Sequence, residues 1–218
     1  MPENNSVPTI LSPCDIDFSK INYSSPSNFP GGKLIYLNYS NQESEKVPFL
    51  IKTTALHSTA LKVWENNNGD ILLNLSSSEK LTKDVINFLE QLDSKVILDC
   101  KRYQNEWFKK RNLSEGELLE NFTSSIKSDK NYPYFKVKLV KKDNKWIPEV
   151  YNKNKELSTP ESEIVDNCTM DSIIQCYAIH IRKNNTFSLL FRLVQAKVYP
   201  PTNIVKGKCM ISDSSDED

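Results

Sequence analysis

The chain of 218 residues is 38% hydrophobic and 26% charged, and its 28 Lys/Arg equal its 28 Asp/Glu, so its formal net charge is zero. This length and composition predict one soluble globular domain with a sizeable core. No apolar run approaches the roughly 20 residues of a membrane-spanning helix, and the start lacks the basic and apolar regions of a secretory signal. The five scattered cysteines favour reduced thiols over a disulfide framework or a zinc site.

Charge is segregated along the chain although it sums to zero. Residues 95–155 carry 15 Lys/Arg against eight acids, and residues 172–208 carry six Lys/Arg and no acid. Residues 156–171 and the last ten residues carry acids and no base. Because segregated charge creates a local field of one sign, the two basic segments predict a surface for a polyanion.

The N-terminal part of the chain predicts an arm followed by strands. Residues 1–32 are rich in Ser, Pro and Asn, and we interpret them as a flexible arm. Aromatic and β-branched residues then predict strands at Lys33–Tyr39, Phe49–Ala55 and Ile71–Leu75.

Residues 78–127 form a predicted helical insertion. Apolar residues recur at steps of three and four from Ser78 to about Lys110, as on one face of a helix. A single helix of that length would measure about 45 Å, so we expect a break near Asp99. A second, short helix is predicted to begin at a capping box, in which Ser114 and Glu117 satisfy each other's backbone amides.

After Lys130 the apolar pattern changes to the two-residue period of strands. In the stretch YFKVKLV, Phe135 and the apolar residues face one way, and the lysines face the other. We predict that Lys145–Tyr151 is the hairpin partner of this strand, with Pro148 at an edge or bulge. A polar acidic linker follows at 154–171.

The chain then forms two predicted long strands, Ser172–Arg182 and Thr186–Tyr199, joined by a hairpin turn. In the second strand the apolar residues change parity, which predicts a β-bulge near Leu193–Gln195. This order of strands, helices and a bent hairpin predicts an α+β fold: an OB-like antiparallel, partly open β-barrel with a helical insertion of one long and one short helix. We assign the barrel and its insertion to a single domain over residues 33–208.

Catalytic motifs are missing from the sequence. His57 and His180 are its two histidines, and it contains no metalloprotease, nucleophile-elbow, Walker or Rossmann motif. Cys176 and His180 share the parity of one strand, but a spacing of four residues separates them by about 13 Å. We therefore predict that the protein is not an enzyme and that it has no cofactor or metal site.

Basic residues interleaved with aromatic residues on the predicted strands are the main functional signal. Cations neutralise phosphates, and flat side chains stack on unpaired bases at about 1–3 kcal/mol per base. An ordinary solvated β-surface is the alternative interpretation, and we interpret Trp64 and Trp107 as core residues. The predicted nucleic-acid-binding residues are Tyr134, Lys136, Lys138, Lys141, Lys142, Lys145, Trp146, Arg182, Arg192, Lys197 and Tyr199.

A series of short motifs resembles a known protein family. In chain order the motifs are FLEQLDSKV, NEWFKK, FKVKLV, KWIPEVYNKNKE, SIIQCYAIHI and FSLLFRLVQAKVYPP. They resemble a group of nucleocytoplasmic large DNA virus proteins that is similar to the single-stranded DNA-binding protein of African swine fever virus. The resemblance covers about residues 33–201, and it implies an OB-like barrel that coats unpaired DNA in cytoplasmic replication factories.

Together these observations predict a sequence-tolerant single-stranded DNA-binding protein that acts in viral DNA replication, recombination or repair. It would work in the host cytoplasm or be packaged in the virion, without a membrane partner. RNA binding and self-association stay open. The alternative is a structural or scaffolding protein of a virion or replication compartment that binds no nucleic acid.

The acidic end of the chain, residues 209–218, is predicted to be a disordered tail with a regulatory role. Its carboxylates would occupy the empty basic groove, or they would recruit replication proteins once DNA displaces them. The carboxylates of this tail are Asp213, Asp216, Glu217 and Asp218.

Overall fold

The computed structural model describes residues 9–41, 45–64, 68–109, 112–128 and 132–201. In these ranges, the strands of six or more residues are β1 (Gly32–Ser40), β2 (Leu50–Ser58), β3 (Gly69–Asn74), β4 (Pro133–Leu139), β5 (Cys168–Arg182) and β6 (Phe187–Tyr199). The helices are α1 (Lys80–Trp107), α2 (Glu115–Asn121) and α3 (Pro160–Glu163).

Shorter elements connect these strands and helices. Single-turn 3-10 helices are at Pro13–Asp15 and Phe18–Lys20. The short strands are Ile10–Leu11, Ile21–Tyr23, Ser27–Phe29, Lys46–Pro48, Lys62–Val63, Phe122–Thr123, Ile126–Ser128, Lys141–Lys142, Lys145–Trp146, Glu149–Tyr151 and Leu157–Ser158. No helix in the described ranges combines the length and the apolarity that a membrane crossing requires.

Five strands close into a barrel in the spatial order β2–β3–β4–β6–β5, with β5 pairing back onto β2. The pair β4–β6 is parallel, and the other four are antiparallel. Two of the seams are held by one residue pair each, Ser58 with Leu73 and Lys138 with Arg192, so the barrel is partly open there. This five-stranded Greek-key arrangement confirms the predicted α+β, OB-like fold.

Alternation of side chains explains how the barrel strands acquire an inside and an outside. In β4, Phe135, Val137 and Leu139 are buried in the core. Lys136 and Lys138 lie between them in sequence and therefore face outward, because successive side chains of a strand point to opposite faces. The sequence pattern of this strand is thus sufficient to place its two lysines on the outer surface.

Two β-bulges bend the long hairpin of β5 and β6. One falls at Val194, because Ile173 pairs with Gln195 while Ile174 pairs with Leu193, and this confirms the bulge predicted from the parity change. The other falls at Tyr177, between two consecutive pairs of the ladder. Each extra residue reverses the inward and outward parity of the strand beyond it.

The long helix α1 is continuous over 28 residues, so the predicted break near Asp99 is wrong. Asp99 is buried, but its carboxylate pairs with Lys95 one turn earlier and accepts a hydrogen bond from the hydroxyl of Tyr23. A buried carboxylate with these partners stays in the helix without a large penalty. One face of α1 covers the barrel end, where Phe88 and Leu89 line the same small cavity as barrel residues.

The segment before β1 lies against the barrel and α1 over its described part. Ile21 is buried, and the ring of Tyr23 packs edge-on against Trp107 at a centroid distance of 5.1 Å. Ser27–Phe29 forms a hairpin with the start of β1. Residues 9–32 of the predicted flexible arm therefore form packed elements of the fold.

The predicted hairpin partner Lys145–Tyr151 is divided into two strands. Lys145–Trp146 pairs with Lys141–Lys142, whereas Glu149–Tyr151 runs parallel to β6. Pro148 lies between them, where its missing amide cannot extend a ladder. The acidic segment 154–171 likewise contains a short strand, α3 and the start of β5 rather than a linker alone.

The capping box of α2 is present as predicted. The hydroxyl of Ser114 accepts a hydrogen bond from the backbone amide of Glu117 at 3.2 Å, and the Glu117 carboxylate accepts one from the Ser114 amide at 2.7 Å. We expect Ser114→Ala to lower the free energy of unfolding by about 1 kcal/mol. Chemical denaturation measures this, with Glu120→Ala at an exposed position of α2 as the control; equal losses in both variants would contradict a capping role.

Candidate nucleic-acid interface

The first part of the candidate site is the Trp64 groove, a depression of about 470 Å³ between the β2–β3 connection and the outer face of β3 and β4. Trp64 is 42% exposed. The ammonium groups of Lys62 and Lys136 lie 4.6 Å and 5.2 Å from the centroid of the Trp64 ring. The groove is lined by Thr59, Ala60, Lys62, Trp64, Asp70, Leu72, Lys127, Tyr134, Lys136 and Asp166.

Asp70 fixes the two central side chains of the Trp64 groove. Its carboxylate is almost fully buried, accepts a hydrogen bond from the indole nitrogen of Trp64 at 3.0 Å, and forms an ion pair with Lys136. The hydrogen bond fixes the position of the indole beside the groove, and the ion pair balances the charge of Lys136. This arrangement provides a positioned aromatic surface with Lys62 and Lys136 against its ring.

The second part is the Arg182 groove, a depression of about 330 Å³ where β4 faces the hairpin of β5 and β6. Its lining contains five basic side chains and no carboxylate among the described residues. It shares Lys127 and Lys136 with the Trp64 groove, so the two form one surface. The basic residues of the Arg182 groove are Lys127, Lys136, Lys138, His180 and Arg182.

Arg182 is oriented by the end of the hairpin to which it belongs. Its guanidinium donates to the hydroxyls of Thr186 at 3.5 Å and Ser188 at 3.3 Å. None of the described carboxylates forms an ion pair with Arg182 or Lys138. Their charges remain available for an anionic ligand.

Burial and neighbouring positive charges together lower the pKa of two members of the Arg182 groove. Partial burial lowers the pKa of Lys138, and the nearby charges of Lys136 and Arg182 lower it further, with Asp70 partly offsetting them. Burial also lowers the pKa of His180, and Arg182 and Lys138 add to this effect against the hydrogen bond to the Gly31 carbonyl. Excess positive charge of this kind is relieved when an anion binds.

Lys127 is positioned by a buried acid on α1. The carboxylate of Asp93 accepts hydrogen bonds from the amide and hydroxyl of Ser125 and from the hydroxyl of Ser124, at 2.6–2.9 Å. Burial raises the pKa of Asp93, and these serine hydrogen bonds oppose the change. The turn that precedes Lys127 is therefore fastened to α1, and Lys127 reaches both grooves from it.

The structure brings five of the predicted binding residues to this surface. Tyr134, Lys136, Lys138 and Arg182 line the grooves. Arg192 lies beside Lys138 in the backbone register of the parallel strands β4 and β6. Its guanidinium lies 5.3 Å from the centroid of Tyr177, and its Nε donates to Gln175 at 2.8 Å.

The hairpin residues Lys141, Lys142, Lys145 and Trp146 are separate from the grooves. Lys141 forms an ion pair with Glu161 at 3.2 Å and lies 4.2 Å from the centroid of Trp146, whose indole also donates to Glu161. A charge balanced in this way has less to gain from a phosphate. Lys142 and Lys145 pair with each other in register on the same hairpin.

Lys197 and Tyr199 lie toward the other end of β6. Five residues separate Lys197 from Arg192, or about 16 Å along a strand. The ammonium of Lys197 lies 4.9 Å from the centroid of Tyr199, and the Tyr199 hydroxyl donates to Asp171 at 3.2 Å. The predicted set therefore does not converge on one face as a whole.

Sequence reasoning missed part of the surface. Trp64 was interpreted as core but is exposed, whereas Trp107 is 1% exposed and its assignment to the core is confirmed. Lys62 and Lys127 were not singled out, since they lie on two- and three-residue strands without a clear pattern. The position of Trp64 just before an Asn-rich stretch of the sequence was the available signal, because connections between barrel strands often carry binding residues.

A Cys–His nucleophile pair does not form. The bulge at Tyr177 reverses the strand parity between Cys176, which is fully buried, and His180, which lines the Arg182 groove. Burial raises the pKa of the Cys176 thiol well above its usual range, whereas a nucleophilic cysteine needs a lowered pKa. In the described ranges, no group of three His, Cys, Asp or Glu side chains is placed to hold a metal ion.

The acidic tail carrying Asp213, Asp216, Glu217 and Asp218 lies outside the described residues. Its predicted regulatory role therefore stays a prediction.

No family model matches the chain, and no curated protein matches it. Among solved structures, the chain is similar to the single-stranded DNA-binding protein from bacteriophage Enc34 in a C-terminal truncation, with 13% identity and a TM-score of 0.47 over 83% of this chain and 96% of that one. It is also similar to the same phage protein in complex with single-stranded DNA, with 13% identity and a TM-score of 0.44 over 79% and 92% of the two chains. A third similar structure is gp2.5, a single-stranded DNA-binding protein encoded by bacteriophage T7, with 7% identity and a TM-score of 0.47 over 75% and 98%. At these identities and TM-scores, the similarity carries no function over to this chain.

Proposed function

We propose that the protein is a non-enzymatic, sequence-tolerant single-stranded DNA-binding protein. The observation that carries this proposal is the continuity of the Trp64 groove and the Arg182 groove, which joins an exposed indole to cations without carboxylate partners. A polyanion with flat, unpaired bases matches both features.

The cations and the aromatic rings of this surface would bind different parts of the nucleic acid. Lys127, Lys138 and Arg182 would neutralise phosphates, with Arg192 adding positive charge beside Lys138. Trp64 and Tyr134 would stack on bases, because every base offers a π-face and stacking is tolerant of sequence. Hydrogen bonds to the edges of bases, which would read the sequence, are not required for this function.

The direct test is a fluorescence-anisotropy titration with labelled dT oligomers at several salt concentrations. The four cations of the joined surface that lack an ion pair among the described residues, Lys62, Lys127, Lys138 and Arg182, predict a slope of about −3 for log affinity against log salt. Duplex DNA and RNA of matched length serve as competitors. An absence of salt-sensitive binding to single strands, even at low salt and with residues 209–218 removed, would rule the proposal out.

The biological setting is part of the same proposal. The motif resemblance to proteins of large DNA viruses supports a role in viral DNA replication, recombination or repair, in the host cytoplasm or the virion. The acidic tail would compete with DNA for the grooves or recruit replication proteins. Removal of residues 209–218 should then tighten binding. An unchanged affinity would contradict the competition between tail and DNA, but not the proposed binding of DNA.

Binding should also depend on pH through His180. Burial and neighbouring cations lower its pKa in the free protein, which favours the neutral imidazole. A nearby phosphate would raise that pKa. Affinity should therefore increase as pH falls from about 7.5 to about 5.5, up to about tenfold for each pKa unit gained in the complex. Titrations of His180→Gln should lose this dependence and those of His57→Gln, the other histidine, should keep it; retention in both variants would assign the effect elsewhere.

A further inference from the structure

A third groove adjoins the Arg182 groove on the far side of Arg182. This Lys33 groove, of about 340 Å³, lies between the Ser27–Phe29 hairpin, the end of α1 and the β5–β6 turn. Its lining contains four basic side chains and no carboxylate among the described residues. The groove is lined by Asn28, Phe29, Gly32, Lys33, Trp107, Phe108, Lys109, Ile181, Arg182, Lys183 and Asn185.

Gly32 allows the hairpin to form one wall of this groove. Its φ is +140°, and a Cβ at this position would lie 2.1 Å from the carbonyl oxygen of Ile181. The hairpin backbone therefore packs directly on the end of β5, which a side chain would prevent. The next residue, Lys33, is consequently held beside Arg182 in the groove.

Lys33 connects this wall to the end of α1. Its ammonium donates to the carbonyl of Trp107 at 2.7 Å, which uses one donor of the three that an ammonium offers. Burial lowers the pKa of Lys33, and the charge of Lys109 lowers it further. The carbonyl is thus a partial counter-charge only, and the groove keeps an excess of positive charge.

Phe29 gives the groove an aromatic surface. Its ring is 38% exposed, and the centroid lies 5.1 Å from that of His180, which lines the neighbouring Arg182 groove. Phe29 therefore lies at the boundary between the two grooves, with its ring tilted against the imidazole of His180. Like Trp64, Phe29 is an exposed aromatic ring beside cations, and none of the cations that line the Lys33 groove forms an ion pair among the described residues.

Arg182 joins the two grooves because it lines both of them. The Trp64, Arg182 and Lys33 grooves thus form a continuous series, linked by Lys127 and Lys136 at one junction and by Arg182 at the other. A flexible polyanion that occupies the first two grooves meets the third without leaving a basic surface.

We propose that the Lys33 groove is an extension of the nucleic-acid path, in which Lys33, Lys109 and Lys183 bind phosphates and Phe29 stacks on a base. This inference rests on the proposed function. It lengthens the path beyond the outer face of the barrel, across the β5–β6 turn to the end of α1. It predicts that the protein distinguishes strands by length.

The test compares two dT oligomers, of about 6 and about 15 nucleotides, chosen at the ends of the site sizes known for OB folds. Phe29→Ala should weaken binding of the longer oligomer by about fivefold or more, as expected for one lost base stack, and Phe29→Tyr should restore it. The double variant Lys109→Gln with Lys183→Gln should weaken the longer oligomer to a similar degree. Each variant should bind the shorter oligomer like the wild type.

A matched control and a second measurement distinguish a lost contact with DNA from misfolding of a variant. Lys83→Gln with Lys153→Gln removes two exposed charges outside the lining of the three grooves and should leave both affinities unchanged. In the wild-type protein, the longer oligomer should protect Lys33, Lys109 and Lys183 from acylation, measured by mass spectrometry. This readout needs no substitution.

Each outcome addresses one of the two proposals. Unchanged affinities in the Phe29 and lysine variants, equal losses for both oligomers, or unprotected lysines would overturn the extension while leaving the barrel surface as a binding site. If the wild type binds neither oligomer, the proposed function itself is rejected.

Discussion

Reversal of two charges in the Arg182 groove, Lys138→Glu with Arg182→Glu, should reduce the affinity for single-stranded DNA by about 100-fold or more at low salt. Both cations lack an ion pair among the described residues. Each substitution should therefore remove a phosphate contact and place a carboxylate against the DNA backbone. The loss should be similar for all base sequences, because phosphate contacts carry no sequence information.

The control for this variant is a double substitution with the same change of net charge. Lys83→Glu with Lys153→Glu alters two exposed lysines, one on α1 and one in the loop after Glu149–Tyr151, outside the lining of the grooves. Anisotropy titrations at two salt concentrations should give a shallower salt slope for the groove variant only. Similar losses in the two doubles would mean that overall charge rather than the groove controls binding.

Trp64→Ala should weaken binding of dT oligomers by about 5- to 150-fold, the effect of losing one base stack of about 1–3 kcal/mol. The loss should change little with salt, since no phosphate contact is removed. Trp146→Ala is the matched control, because the sequence had predicted both the exposure and the stacking role at Trp146 rather than at Trp64. Equal losses of affinity in the two variants would contradict the assignment of base stacking to Trp64.

Intrinsic fluorescence offers an independent measurement of the same platform. The chain has three tryptophans. Trp107 is buried, and Trp146 is partly buried, with Lys141 near its ring and its indole nitrogen bonded to Glu161. Quenching on addition of an oligomer should therefore come mainly from Trp64. It should disappear in Trp64→Phe and persist in Trp146→Phe, and thermal melting of the four variants checks that each is folded.

Local pattern was sufficient for much of the fold. The period-two alternation of β4 placed Lys136 and Lys138 outside because the pleat of a strand admits one set of side chains to the core. The parity change in β6 located the bulge at Val194, since an apolar residue left on the wrong face costs burial free energy. The capping box at Ser114 depends on four consecutive residues, and it too was predictable.

The candidate site depended on contacts between segments that are distant in sequence. Asp70 and Lys136, on two neighbouring strands, contact the indole of Trp64 and hold it at the groove. The Asn-rich stretch that follows Trp64 in sequence does not reveal these contacts. Lys141 and Trp146 are a basic and an aromatic residue of the kinds that bind nucleic acid. Glu161 from α3, however, forms an ion pair with Lys141 and accepts a hydrogen bond from Trp146. The unbroken α1 likewise relies on Tyr23, which satisfies Asp99 from 76 residues away in sequence.

The amino-acid sequence by itself determined the strands, the helical insertion and the supply of outward-facing cations, since these follow from periodicities within a few residues. Only the tertiary structure decided which cations lack a carboxylate partner and which aromatic ring faces solvent. The reason is that charge balance and burial are set by neighbours in space, and closure of the barrel brings together β4, the β5–β6 hairpin and the end of α1.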